Sequence, residues 1–281
     1  MSFIAVRDYD GAGVKLPGIE CAPSNPKGTL YFVYGISAKV ADYSNLIEPL
    51  GRQFKVRAFE QRGHCYAPGK FDPKKMADDL ESVIESDSGP VGIIGHSLGC
   101  RAAVDAASRL EKKGTPVQGI YMLEPYLGME FAGALPRFAT SLAWFLSLPL
   151  WPVDKLFNEM ESARQKLGFH NRDVIASFGK LAKVSVKDCG ACTAPVSYVL
   201  TKNDEALGTA SNKHYEACVR YMRELLPQSH DDTTPHIAQW NHCFNLNRND
   251  FRPFFKPESE KESKQALGRI RAFFESIFEK H

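Results

Sequence analysis

The chain reads as an α/β protein: a mostly parallel central sheet, helices on both of its faces, and a helical segment inserted partway along. Three observations lead there. Short apolar runs alternate with amphipathic stretches from Thr29 to Leu123, the pattern of a parallel sheet whose crossovers are helices. That alternation stops at about Pro125 and resumes after Cys189. The length, 281 residues, is enough for one large α/β domain with an inserted subdomain.

The elements follow in order. Thr29–Tyr34 is a short apolar run closed by Gly35, hence a strand, and Tyr43–Leu50 has helical spacing. Phe54–Phe59 is the next strand, ending at Gln61-Arg62-Gly63-His64, and residues 73–86 form a helix. Val91–Ile94 is a buried strand that runs into Gly95-His96-Ser97-Leu98-Gly99. Leu98, Ala102, Ala103, Ala106, Ala107 and Leu110 then recur at helical spacing, a small-residue face suited to close packing on a sheet. Lys112, Lys113 and Gly114 end that helix, with Pro116 just beyond. Gly119–Leu123 and Ala194–Leu200 are further strands, and a helix is expected over Asn212–Leu226. His236–Trp240 is read as the last strand, and the terminal helix carries Leu267, Ile270, Phe273, Phe274, Ile277 and Phe278 on its core face.

The break in the alternation divides the chain into a core, residues 1–124 and 190–281, and a helical cap or lid, residues 125–189. Between Ala134 and Trp151 the insert is unusually apolar, with Phe138, Trp144 and Phe145 among its side chains. Pro136, Arg137, Pro149 and Pro152 interrupt it, so it is too broken to span a membrane. A cap over an apolar pocket is the expectation; plain core and weak contact with a lipid surface are the alternatives.

The formal charge is +2, with no basic or acidic block, which gives no reason to expect nucleic acid as a partner. The N-terminus lacks the basic start and apolar core of a signal peptide. Seven scattered cysteines then read as reduced thiols, and the expected location is cytoplasmic. Cys189 and Cys192 form a lone CxxC with no second pair, read as a coincidence in a loop before a strand. No metal and no cofactor is expected.

The sharpest signal is the turn at Ser97. A G-x-S-x-G bend between strand and helix holds its serine in a strained conformation and lifts Oγ above the sheet edge. The helix behind it supplies free N–H groups and a positive field, which suit a developing oxyanion. A serine hydroxyl is a weak nucleophile at neutral pH and needs a base. Histidine suits that role, and a carboxylate must orient it. Asp204 and His242 lie at later strand ends in the required order of serine, acid and histidine.

From Thr29 onward the chain resembles the α/β-hydrolase fold superfamily. Val91–Gly99 matches the elbow strand and nucleophile, and Arg62-Gly63-His64 resembles the R-G-H turn of many members. Ala194-Pro195-Val196 leading to Lys202-Asn203-Asp204 resembles the strand that ends in the acid, and Asn241-His242-Cys243-Phe244 stands where a G-H-F turn is usual. The resemblance implies Ser97 as nucleophile, His242 as general base and Asp204 as acid. It also implies an oxyanion hole at the N–H groups of Ile36 and Leu98. Where the family often has His-Gly, this chain has Tyr34-Gly35; both line the expected substrate site, and the Tyr34 hydroxyl is a further candidate donor to oxyanion or substrate. Trp144 and Phe145 of the cap are expected to touch an apolar substrate.

Glu124 competes for the acid role, as do Asp231, Asp232 and Glu205. Among the histidines, His236 begins its strand, His214 and His230 read as solvated, His96 is packed by the elbow, and His64 reads as structural. The implied activity is hydrolysis of a carboxylic ester or thioester with an apolar moiety. Other chemistry on the same triad (carbon–carbon bond hydrolysis, perhydrolysis, acyl transfer) and a non-catalytic binding module are the alternatives. Oligomeric state has no signature in the sequence.

Overall fold

Eight strands form one sheet: β1 (Phe3–Gly11), β2 (Val14–Ala22), β3 (Thr29–Val33), β4 (Lys55–Phe59), β5 (Val91–His96), β6 (Gly119–Leu123), β7 (Val196–Val199) and β8 (Ser229–Asp231). The computed structural model describes residues 3–36, 38–65, 67–132, 180–181, 183–202, 204, 207, 209, 211–233 and 260–280. The spatial order is β1-β2-β4-β3-β5-β6-β7-β8. β3 to β8 pair in parallel, while β2 is antiparallel to both β1 and β4. Every residue of β3, β5, β6 and β7 is buried, as strands covered on both faces require.

Among the described residues the α-helices are α1 (Ser44–Leu50), α2 (Pro73–Glu85), α3 (Gly99–Lys112), α4 (Asn212–Leu225) and α5 (Glu260–Phe278). Asp72 caps α2 by accepting from the Lys74 N–H, with Pro73 in the first turn where its missing donor is harmless. On one face of the sheet Leu80, Val83, Ala103, Ala106 and Met222 from α2, α3 and α4 join a single apolar cluster. On the other, Leu46, Ile47 and Leu50 of α1 meet Ile270 and Phe274 of α5. Phe274 is fully buried beside Phe54 and Phe278; a side chain of this size buried so completely contributes roughly 1.5–3 kcal/mol.

Two elements differ from the sequence reading. The hairpin of β1 and β2 extends the sheet before Thr29, where no strand was expected. The eighth strand is Ser229–Asp231, in a stretch read as loop. His236–Trp240, expected to be that last strand, lies outside the described residues.

Residues 127–130 and 184–188 meet at one place. Met129 N–H donates to Val184 O (2.7 Å), and the Glu130 carboxylate accepts from Ser185 Oγ (2.7 Å) and Val186 N–H (2.9 Å). Arg101 on α3 secures both ends, donating to Leu127 O (2.7 Å), Ser185 O (2.8 Å) and Asp188 O (2.5 Å). The 47 residues between Ala132 and Lys180 lie outside the described residues, Trp144 and Phe145 among them.

The hairpin is tied to the domain by a buried ion pair. Arg62 donates through Nε to Asp79 Oδ2 (2.7 Å) and through Nη2 to Ala12 O (2.9 Å), while Ala12 N–H donates to Asp79 Oδ1 (2.9 Å). Removing one member leaves a buried, uncompensated charge. Asp79→Ala is therefore expected to destabilise the protein by about 3 kcal/mol or more in urea titration. A loss below about 1 kcal/mol would show the tie to be dispensable.

Candidate active site

Ser97 follows β5 with φ 54°, in the left-handed region that costs any side chain but glycine. Backbone contacts sustain it. Its N–H donates to Leu123 O (2.9 Å), and its carbonyl accepts from Cys100 N–H (3.0 Å) and Tyr126 N–H (3.1 Å). The neighbouring glycines are sterically required: a Cβ on Gly99 would lie 2.0 Å from Val33 O, and one on Gly35 would lie 2.7 Å from Ser97 Cβ. Gly35 thus brings the backbone that carries Ile36 directly against the serine. Among the described residues no backbone carbonyl accepts from the N–H of Ile36 or of Leu98.

The loop that carries Ile36 is braced from β4. Glu60 Oε2 accepts from the Tyr34 hydroxyl (2.5 Å), and Glu60 Oε1 accepts from Val40 N–H (3.1 Å), so one carboxylate holds both ends of the loop. Gln61 N–H donates to the Tyr34 hydroxyl (3.0 Å), and the Gln61 side chain donates to Tyr34 O. Tyr34 is fully buried, and its single O–H donor is committed to Glu60. What Tyr34 offers the site is its backbone, which leads into Gly35. Burial pushes the Tyr34 phenol well above its ordinary range and raises Glu60 as well. This brace was missed from sequence, where nothing links Glu60 to Tyr34.

Asp204 follows β7 and is fully buried. Its Oδ1 accepts from Leu207 N–H (2.8 Å), and its backbone exchanges hydrogen bonds with Thr209. Glu124, directly after β6, is also fully buried and has φ 48°. Thr201 N–H donates to both of its carboxyl oxygens (2.9 and 3.1 Å), and the carboxyl lies close enough to that of Asp204 to interact with it. Burial first, and the neighbouring Asp204 second, push Glu124 well above the usual carboxylate range. Ser97, Glu124 and Asp204 thus stand at the carboxyl ends of three adjacent strands, where open α/β sheets place their sites. His242 lies outside the described residues, as does Glu205.

The other candidates have structural partners. Asp232 accepts from Tyr121 Oη (2.6 Å) and pairs with Arg269, while Asp231 accepts from Thr233 N–H (3.0 Å). His96 Nδ1 is bonded to Tyr43 Oη (2.8 Å). His230 is exposed, as expected, but His214 is half-buried and its Nε2 bonds Phe131 O (2.9 Å), because α4 packs against Phe131. Burial pushes the Cys189 and Cys192 thiols up to about 12 and about 11, the opposite of what a redox-active pair needs. Among the described residues no three His, Cys, Asp or Glu side chains gather as metal ligands would, and no helix is long and apolar enough to cross a membrane.

A model of the alpha/beta hydrolase family matches residues 33–252. The chain belongs to that family. Solved structures share its fold across nearly their whole length. A carboxylesterase from the thaumarchaeon Nitrososphaera gargenis is 15% identical with a TM-score of 0.65, the alignment covering 97% of this chain and 100% of that one. A thermophilic esterase from Thermogutta terrifontis is 15% identical, with TM-score 0.62 and coverage of 98% and 99%. The enol-lactonase from Burkholderia xenovorans LB400 is 11% identical, with TM-score 0.61 and coverage of 95% and 99%. At these identities the likeness is one of fold. No curated protein matches the chain.

His64, in the turn after β4, is fully buried against the rings of Phe71 and Tyr34. Burial lowers its pKa to about 4. Between that value and the ordinary ~6.5, the unfolded chain binds a proton that the folded chain refuses. Stability is therefore full above pH ~6.5 and is lost as pH falls through the window, by roughly 3 kcal/mol. Urea titrations at a series of pH values should show this slope in the wild type and a flatter one in His64→Leu. An unchanged slope would place the titration elsewhere.

Proposed function

We propose that this member of the family is a serine hydrolase that cleaves a carboxylic ester or thioester with an apolar moiety through an acyl-enzyme on Ser97. The observation that carries the reading is the left-handed serine at the elbow, with Gly35 against it and the Ile36 and Leu98 N–H groups beside it. Strain of this kind persists only where the surrounding structure imposes it, and it clusters at functional sites.

In this reading Ser97 Oγ attacks the acyl carbon while His242 takes its proton. The carbonyl oxygen becomes an oxyanion held by the N–H groups of Ile36 and Leu98. Collapse of the tetrahedral intermediate expels the alcohol or thiol, which takes the proton from His242, and leaves the acyl group on Ser97. Water, deprotonated by His242, then attacks the acyl-enzyme; its second collapse releases the acid and restores the serine. Asp204 orients His242 and balances the imidazolium charge. No step requires a metal or an organic cofactor. The apolar character of the substrate rests on the composition of 134–151, proposed as a cap with Trp144 and Phe145 over the pocket, and on Tyr126 and Met129 at its base.

Labelling with a fluorophosphonate probe, read by intact mass and peptide mapping, tests the nucleophile. One adduct on Ser97, absent in Ser97→Ala, supports the reading and opens an ester and thioester panel of graded chain length. The absence of an adduct on folded protein would argue for a binding module instead. For the base, the acylation rate is expected to fall as His242 protonates, with a midpoint near pH ~6.5; a rate flat across that region would argue against histidine. Asp204→Asn is expected to lower kcat by about 10⁴-fold while keeping the fold, as wrong-tautomer variants do. Near-full activity in that variant would move the acid role to another carboxylate.

A further inference from the structure

We propose that Glu124 is the neutral, proton-donating half of a buried carboxyl pair, a positioning residue that holds Asp204 for its work on the base. The inference rests on the serine-hydrolase reading above and adds a residue to it. Glu124 and Asp204 are both fully buried beyond the ends of the neighbouring strands β6 and β7, with their carboxyl groups close enough to act on each other. Two bare carboxylates so placed without solvent repel strongly, and a proton shared between them relieves that repulsion. The pair therefore carries one proton and one negative charge.

The surroundings assign the proton. The Asp204 carboxylate sits over a tight turn and accepts from Leu207 N–H (2.8 Å), a charge-assisted bond that favours the ionised form. Among the described residues Glu124 accepts from one N–H, that of Thr201, divided between its two oxygens. The other titratable groups facing it among the described residues are the Cys100 thiol on α3 and the Tyr215 phenol on α4, both neutral. Burial first, and the neighbouring Asp204 second, accordingly push Glu124 well above the usual carboxylate range. The O–H of Glu124 then donates to Asp204, fixing the plane of its carboxylate while leaving the charge there for the imidazolium.

The left-handed backbone of Glu124 fits this role. With φ 48° the chain turns sharply after β6, and its N–H still donates to Val199 O (2.9 Å). The side chain thereby reaches across the end of β7 to Thr201 and Asp204. Strain of this type at a strand end beside the nucleophile's own strand marks a position selected for where it places its side chain.

Two readouts test the pair: steady-state kinetics with an ester, and isotope-edited infrared difference spectra of the resting enzyme. Glu124→Ala is expected to lower kcat by about ten- to a hundredfold with KM little changed, since it removes the donor that fixes the plane of the Asp204 carboxylate. Glu124→Gln is expected to recover most of that loss, because an amide donates where the neutral acid did. The wild-type minus Glu124→Gln spectrum at neutral pH should show the carbonyl stretch of a protonated carboxylic acid.

A Glu124→Gln variant as impaired as Glu124→Ala, or a spectrum with carboxylate bands alone, would overturn the shared proton. A Glu124→Gln variant that loses activity while Asp204→Asn keeps it would make Glu124 the charged acid and also overturn the proposal. If Glu124→Ala fails to fold, Glu124→Gln and the infrared band still decide. If the wild type neither labels at Ser97 nor turns over any ester, the serine-hydrolase reading fails and the positioning role falls with it. The infrared band would then still report, separately, on whether the proton is shared.

Discussion

The left-handed backbone of Ser97 is the constraint around which the carboxyl edge of the sheet is built. A serine at φ 54° does not persist unaided. Its N–H is held by Leu123 O at the end of β6, and its carbonyl by Cys100 and Tyr126 on either side. For the turn to be that tight, α3 must start against the end of β3, which leaves no room for a Cβ on Gly99 or Gly35. The same contact brings the backbone of Gly35 against the serine. The bend at Ser97 and the approach of Gly35 to it are thus consequences of one close packing of β3, β5 and α3.

A second constraint is electrostatic. The strand ends carry carboxyl groups shielded from solvent: Glu60, half-buried, after β4, and Glu124 and Asp204, fully buried, after β6 and β7. Each accepts from N–H or O–H donors of the backbone or of Tyr34. Buried polar groups survive when so satisfied, and they then rigidify what they touch. Here they touch the loop that carries Ile36 and the turn that carries Asp204. The same donors that make the burial tolerable fix the geometry of the site.

The sequence carried the parallel half of the fold in plain view. Val91–Ile94 and Gly119–Leu123 are continuous apolar runs because both faces of those strands are covered, and the small-residue face of α3 announces its close approach to the sheet. The hairpin of β1 and β2 was hidden for the converse reason. As the edge of the sheet it exposes Ile4 and Val6 and buries Tyr9 and Leu16, so its hydrophobic pattern points both ways. The eighth strand is three polar residues with no pattern at all. Within the site, the elbow motif and the strand-end position of Asp204 were legible, since each depends on local chain order. The contacts of Glu60 with Tyr34 and of Glu124 with Asp204 depend on strand neighbours far apart in sequence, and no spacing rule reports them.

The tyrosine at position 34 connects these points. A hydroxyl at that place looks, from sequence, like a donor for the substrate's oxygen. The structure commits it to Glu60, whose other oxygen takes Val40 N–H. Tyr34 and Glu60 are best understood as one unit, because the phenol supplies the donor that lets a carboxylate sit in a largely buried place, and the carboxylate supplies the acceptor that a buried phenol needs. The unit spans the loop from Tyr34 to Val40 and so clamps it at both ends. Backbone N–H donors stabilise an oxyanion in proportion to how little they must reorganise when charge appears. Glu60 holds the chain at Tyr34 and at Val40, so the side chain that departs from the family's usual His-Gly acts on the site through the backbone it holds.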